Sequence, residues 1–199
     1  MSSEASVSVA PDTRHRILLA TWELIEELGP ELRLQDVAER AGVSRQAIYL
    51  HFGDRANLLL ALVEFMPESL GFQKLLAHVF AAESGIEMLR RAVELHSTYS
   101  AKVDSVARVL EAAQYQDAAL GGAWRDRMSR SRAAHHAIIE RLAAEGRLSE
   151  GWTVEEAADL FYTLTMQGPW RELTCELGWS PEQYAVRMTK LLTDSLVAD

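Results

Sequence analysis

The chain has 199 residues, 48% of them apolar, a formal net charge of −9 and a single cysteine, Cys175. That length allows one large domain or two small ones with a sizeable core, and one cysteine excludes both an internal disulfide framework and a cysteine-rich zinc site. No stretch reaches the roughly 18 apolar residues of a membrane span, and the opening MSSEASVSVAPD lacks the basic-then-apolar order of a signal peptide, so a cytoplasmic protein with no membrane partner is expected.

Residues 1–11 are small and polar and read as a disordered arm. A first helix is predicted over Thr13 to Leu28, with Asp12 as its cap. Ile17, Thr21, Leu24, Ile25 and Leu28 form its apolar stripe. Gly29-Pro30 ends it. A short helix follows near Gln35 to Arg40, with Leu34, Val37, Ala38 and Ala41 inward, and Gly42 supplies the next turn. The third helix is capped by Ser44 and runs to about His51. Val43, Ile48 and Phe52 point to the core, while Arg45, Gln46 and Tyr49 point out. A fourth helix starts near Asp54 with Leu58, Leu59, Leu62, Val63 and Met66 on its apolar side, and Pro67 ends or kinks it.

The remainder also has helical periodicity. Gly85 to Tyr99 forms one predicted helix and Val103 to Ala113 marks the next. A loop is predicted at Gly121-Gly122, before a long helix from Ala123 to Glu145 that is ended by Gly146. Thr153 and Glu156 form a capping box. Ser180, Pro181 and Gln183 give a second start signal, with a serine cap and proline at the first helical position. No alternating strand pattern stands out. The fold class is all-α, with a trihelical helix-turn-helix head over residues 12–55 and a helical bundle over residues 56–199.

The informative segment is LQDVAERAGVSRQAIYLHFGDRANLL, residues 34–59. Two short helices meet at a tight AGVS turn, and the second is serine-capped with polar residues outward. Such a helix can enter the major groove of double-stranded DNA N-terminus first. Arg45 and Gln46 can reach base edges, an arginine pairing with guanine and a glutamine with adenine. Tyr49, His51 and Arg55 are placed for phosphates, and Arg14 and Arg16 could flank the groove. Charge runs the other way: residues 1–60 hold six arginines and nine carboxylates. Affinity must then come from local geometry, with weak nonspecific binding and strong salt sensitivity.

The same segment resembles the tetracycline-repressor (TetR) family of bacterial regulators. The matching residues are Gly29, Val37-Ala38, Ala41-Gly42-Val43-Ser44, Ile48-Tyr49, His51-Phe52, Arg55 and Leu58-Leu59. The resemblance implies that Ser44, Arg45, Gln46, Ala47, Tyr49 and His51 sit on or beside the recognition surface, with Arg55 near the DNA backbone. Two departures stand out. Arg33 replaces a frequent threonine at the start of the second helix, where it could itself meet a phosphate. Gln46-Ala47 replaces a frequent Gly-Thr pair. More weakly, the C-terminal EGRL, W-R-E-L and ELGWSPEQY stretches resemble the dimerising half of some members. By that resemblance the last two long helices pair with their twofold mates. Leu160, Leu164, Met188, Leu192 and Leu196 are the seam candidates, with ordinary core as the alternative. A homodimer would read half-sites about 34–36 Å apart in a near-palindromic operator, and a ligand could act by shifting the fourth helix.

A small-molecule effector is expected among the helices of the bundle. Candidate liners are His96, Tyr99, Leu110, Gln114, Trp124, Met128, His135, Met166, Gln167 and Trp170. They suit a mainly apolar organic molecule. His135 also reads as a satisfied core histidine. No cofactor is implied. Metal binding is not expected, because His135 and His136 diverge on a helix while His15, His78 and Cys175 lack partners three or four positions away. Enzyme motifs such as G-x-S-x-G, H-E-x-x-H and the P-loop are missing. The expected function is a repressor released from its operator by the effector. The alternatives are an activator, or a DNA-binding regulator without a small-molecule ligand.

Overall fold

The computed structural model describes residues 12–198; the arm expected over residues 1–11 lies outside the described residues. The chain forms two compact units, the first closing at Phe65 and the second opening at Met66.

In the first unit, helix α1 (Thr13–Leu28) buries Ile17, Leu18, Leu24 and Ile25. The expected cap at Asp12 is corrected. Its carboxylate makes no cap bond, and its backbone carbonyl accepts from the Arg16 amide at 3.0 Å instead. Gly29 closes α1 at φ 59°, a left-handed conformation that costs glycine little, and Gly29–Glu31 continues as one 3₁₀ turn. Helix α2 (Leu34–Ala41) begins where Asp36 reaches back to accept from the Arg33 amide at 3.2 Å. Gly42, at φ 64° and ψ 41°, turns the chain into α3 (Arg45–Phe52). Helix α4 (Arg55–Ser69) starts with Asp54 Oδ1 accepting from the Asn57 amide at 2.8 Å. It continues past Pro67 for two more residues. Val37, Ile48, Phe52, Leu58 and Leu59 are buried, and this apolar set fixes how α2, α3 and α4 seat.

The second unit contains α5 (Phe72–Phe80), α6 (Gly85–Ala113), α7 (Ala118–Ala144), α8 (Val154–Leu164), α9 (Gln167–Arg171) and α10 (Pro181–Leu196). A π-type turn, Glu172–Glu176, follows α9. Among the described residues there is no strand, only an isolated bridge between Leu148 and Val197. No helix there is long and apolar enough to cross a membrane.

Two sequence expectations change here, and one helix is new. The two helices expected over Gly85 to Ala113 are one helix of 29 residues. Helix α5 was missed, although Phe72, Leu75, Leu76 and Val79 recur at helical spacing. The loop expected at Gly121-Gly122 lies inside α7, which starts at Ala118 because Asp117 Oδ1 accepts from the Ala119 and Leu120 amides, both at 2.9 Å. Gly121 is there for closeness rather than for a turn: a Cβ at this position would lie 2.6 Å from the Gln114 carbonyl oxygen.

The two capping predictions in this unit hold. Thr153 accepts from the Glu156 amide while the Glu156 carboxylate accepts from Thr153, and Ser180 accepts from the Gln183 amide at 3.1 Å. The core joins Leu89 and Val93 of α6, Ile138 and Ile139 of α7, Phe161 of α8, Trp170 of α9 and Tyr184 of α10. Met188, Leu192 and Leu196 lie in this same core, the last two fully buried. That corrects their reading as an intersubunit seam, since a side chain covered by its own subunit has no surface to offer a second one. Leu160 and Leu164 pack partly against the same cluster. Apolar periodicity identifies a stripe to be covered but not which chain covers it.

Candidate functional site

The first unit presents α3 as a projecting helix. Its N-terminus is ordered by Ser44, whose Oγ accepts from the Ala47 amide at 3.1 Å. Ile48 and Phe52, one turn apart, are buried and fasten one side. At 3.6 residues per turn the opposite line carries Gln46 and Leu50. Gln46 is exposed and Leu50 is 85% exposed. Arg45 and Tyr49 occupy one flank, Ala47 and His51 the other. The Arg45 guanidinium donates to the Tyr49 hydroxyl at 3.3 Å and lies 5.9 Å from the ring centre. This pairing restrains a long side chain before any partner arrives.

Other candidates surround α3. Arg14 is exposed, with its guanidinium 5.3 Å above the Phe52 ring. Arg33 is exposed at the start of α2. Arg55 is half-buried and donates to the Pro30 carbonyl at 3.0 Å. Asp54 occupies one amide at the start of α4, that of Asn57. From Arg40 to Gly53 the chain carries no carboxylate, although the whole has a net charge of −9. Arg40 itself is ion-paired to Glu23 and Glu27 of α1. Sequence reasoning missed Leu50, because a leucine on a helix is ordinarily assigned to the core.

The second unit has a polar seam inside its apolar core. His135 Nδ1 lies 2.7 Å from the Ser131 carbonyl oxygen, and its Nε2 lies 2.8 Å from Thr165 Oγ1. The ring packs edge-on against Phe161 at 4.4 Å. His96 Nδ1 lies 3.3 Å from Ser100 Oγ, while its buried Nε2 has no protein partner. Burial, assisted by His135, pushes the His96 pKa down to about 3. Burial also lowers that of His135, against the opposing pull of the Ser131 carbonyl. Both rings are therefore neutral near pH 7. Trp170 is buried and its Nε1 likewise has no partner.

Beside these groups, Gln167 donates to Asp104 Oδ1 at 3.0 Å and to the Ser100 carbonyl at 3.2 Å. Asp104 also accepts from Arg171 and Arg108, each at 2.8 Å. Tyr99 is buried against Phe72, ring centres 4.6 Å apart, and burial raises its pKa while Arg127 opposes the rise. Leu110 is buried, and Gln114 is half-buried with its amide donating to the Glu111 carbonyl at 3.0 Å. Trp124 and Met128 are half-buried, and Met166 is exposed. The structure thus brings His96, His135 and Gln167 into one polar seam. It gives Met166 a surface position, which corrects its reading as an interior liner. Sequence reasoning missed Ser100, Asp104, Thr165 and Arg171; Ser100 and Asp104, four apart on an otherwise apolar stripe, were the available signal.

Residues 17–62 match the family model described as bacterial regulatory proteins, tetR family. No match was found among curated proteins. Among solved structures, a protein of Saccharomonospora viridis described as a transcriptional regulator, in complex with choline, aligns with a TM-score of 0.82. Identity is 22%, and the alignment covers 94% of this chain and 98% of that one. A TetR-family regulator from a Rhodococcus species aligns at 0.76, with 22% identity and 92% and 98% coverage. FadR of Bacillus subtilis, in complex with stearoyl-CoA, aligns at 0.72, with 19% identity and 89% and 96% coverage. These likenesses extend the shared fold over nearly the whole chain. The head over residues 17–62 therefore matches the tetR family of bacterial regulatory proteins, and the fold of nearly the whole chain is one that solved transcriptional regulators share.

Proposed function

We propose that this regulator is a repressor that binds a near-palindromic operator as a homodimer and leaves it when a mainly apolar small molecule enters the helical unit. The observation that carries the DNA-binding part is the serine-capped α3, which exposes Arg45, Gln46 and Tyr49 from the longest carboxylate-free stretch of the head. In this reading Arg45 and Gln46 read base edges, while Arg14, Arg33, Tyr49, His51 and Arg55 hold the DNA backbone. The homodimer would use the outer sides of α8 and α10, where Val186 is 67% and Leu191 48% exposed.

The effector reading rests on the second unit. Apolar groups dominate its interior. Asp104 is matched by Arg108 and Arg171, and both histidines are neutral, so no unmatched charge calls for an ionic ligand. The Trp170 indole N–H and the free nitrogen of His96 are unpartnered polar groups in that setting, and buried groups of this kind are ordinarily hydrogen-bonded. They favour an apolar molecule bearing one or two hydrogen-bonding atoms, an acceptor above all. The S. viridis neighbour holds choline and B. subtilis FadR holds stearoyl-CoA; one fold houses very different ligands, so neither is assigned to this chain.

The test is selection of duplexes from a random library by the purified protein, followed by binding titration. Enrichment of one near-palindromic sequence, released by an apolar compound that also raises the thermal midpoint, is the expected result. Failure to enrich any sequence would overturn the operator reading. An enriched operator from which no apolar compound releases the protein would favour a regulator without a small-molecule effector.

A further inference from the structure

Leucine is an odd residue to hold in water, and Leu50 is 85% exposed on α3. A single exposed apolar side chain on a protein surface is ordinary; the position of this one gives it meaning. Ile48 and Phe52 anchor the buried side of the helix, so Gln46 and Leu50 define the line farthest from the core. Arg45, Tyr49 and His51 flank that line, and no carboxylate occurs from Arg40 to Gly53. The partner such a surface fits is therefore an anion that also offers an apolar point one helical turn from a hydrogen-bonding one. The major groove of DNA supplies both, because thymine carries a 5-methyl group there while adenine presents its N6 and N7 edge.

We propose that Leu50 is a specificity-determining residue that recognises the 5-methyl group of a thymine in each half-site, with Gln46 reading a base edge one turn away. This rests on the reading of α3 as a recognition helix. The Arg45 guanidinium is held towards Tyr49, which leaves the central line of the helix to Gln46 and Leu50. Packing a leucine against a methyl group requires a close fit, so the contact discriminates against uracil, which lacks only that methyl.

The experiment uses the full-length protein and the duplex it selects from a random library. Each thymine of the selected site is replaced in turn by deoxyuridine, which lacks only the methyl group. At one thymine per half-site the replacement should weaken binding about threefold to fivefold, the worth of one buried methyl. Leu50→Ala should bind the thymine duplex more weakly by a similar factor and lose all sensitivity to the replacement, the signature of a direct pair. Leu50→Met should retain part of it. Two results would overturn the proposal: no deoxyuridine position affects the wild type, or Leu50→Ala remains as sensitive as wild type. If the library yields no selected sequence, the recognition-helix reading fails first and the proposal falls with it.

Discussion

His135 Nε2 lies 2.8 Å from Thr165 Oγ1 while its Nδ1 lies 2.7 Å from the Ser131 carbonyl oxygen. A carbonyl can only accept, so Nδ1 carries the proton. Burial keeps the ring neutral, so Nε2 is an acceptor that shares the single proton of the threonine hydroxyl with the Phe161 carbonyl, also 2.8 Å away. Thr165→Val would strand that nitrogen in a buried setting and should lower unfolding stability by about 1–3 kcal/mol, whereas Thr165→Ser should recover most of the loss. Chemical denaturation of the three proteins checks this. Nitrogen NMR of the ring should show the proton on Nδ1.

Gly121 and Gly122 are neighbours on α7 with opposite prospects. A Cβ on Gly121 would meet the Gln114 carbonyl oxygen at 2.6 Å, whereas a Cβ on Gly122 meets nothing within 4 Å. Gly121→Ala should destabilise by about 1–3 kcal/mol through forced backbone movement. Gly122→Ala should stabilise by about 0.5–1 kcal/mol, the usual gain on replacing a helical glycine. Thermal unfolding of the two variants should move in opposite directions.

The buried histidines make the second unit acid-sensitive in a definite window. An unfolded histidine has a pKa near 6.5, and the folded His96 lies at about 3. A depressed folded value means that stability is complete above pH 6.5 and declines as protonation of the unfolded chain becomes favourable. The loss from His96 alone should reach about 2 kcal/mol by pH 5, and His135 acts in the same direction. Thermal midpoints at pH 7.5 and 5.5 should therefore differ more for wild type than for His96→Gln. Above pH 5 the depressed carboxylates Glu27, Glu145, Glu156 and Glu182 remain ionised in both states and contribute little.

Leu191 and Leu192 separate assembly from folding. Leu192 is fully buried and Leu191 is 48% exposed. Leu192→Ala should cost about 2–5 kcal/mol of subunit stability. Leu191→Glu should leave the circular dichroism of the subunit unchanged and shift its sedimentation from dimer to monomer. A Leu191→Glu protein that remains dimeric would remove the outer side of α10 from the interface.

Arg45→Ala should weaken binding to the selected operator by about 1–3 kcal/mol and relax preference at one base position. Arg14→Ala should weaken all sequences alike and reduce the salt slope by about one ion. Titrations at several salt concentrations on selected and scrambled duplexes distinguish the two behaviours.

Features governed by a few adjacent residues were legible in the sequence. Ser44, Thr153 and Ser180 announce their helices because a cap bonds an amide three residues away, and Gly42 marks the turn because it alone enters left-handed space cheaply. Apart from the Asp12 cap, what failed depends on distant contacts. The glycine pair at 121 and 122 looks like a loop until Gln114 is seen beside it. Met188, Leu192 and Leu196 share a periodic face whichever chain covers it. The candidate DNA face was mostly readable because its polar residues are local to one helix. Leu50 was not, since its exposure follows from how Ile48 and Phe52 are seated.

Asp104 receives three donors from two directions, Arg108 on its own helix and both Gln167 and Arg171 on α9. Positions 104 and 171 are consequently not free to drift one at a time. Loss of the carboxylate leaves a half-buried guanidinium with only Glu111 to face, while loss of the arginine leaves the acid short of a cation. In a genetic setting, revertants of Asp104→Ala should carry second changes at 171 or 167, and relatives that have lost the acid should have lost the arginine with it.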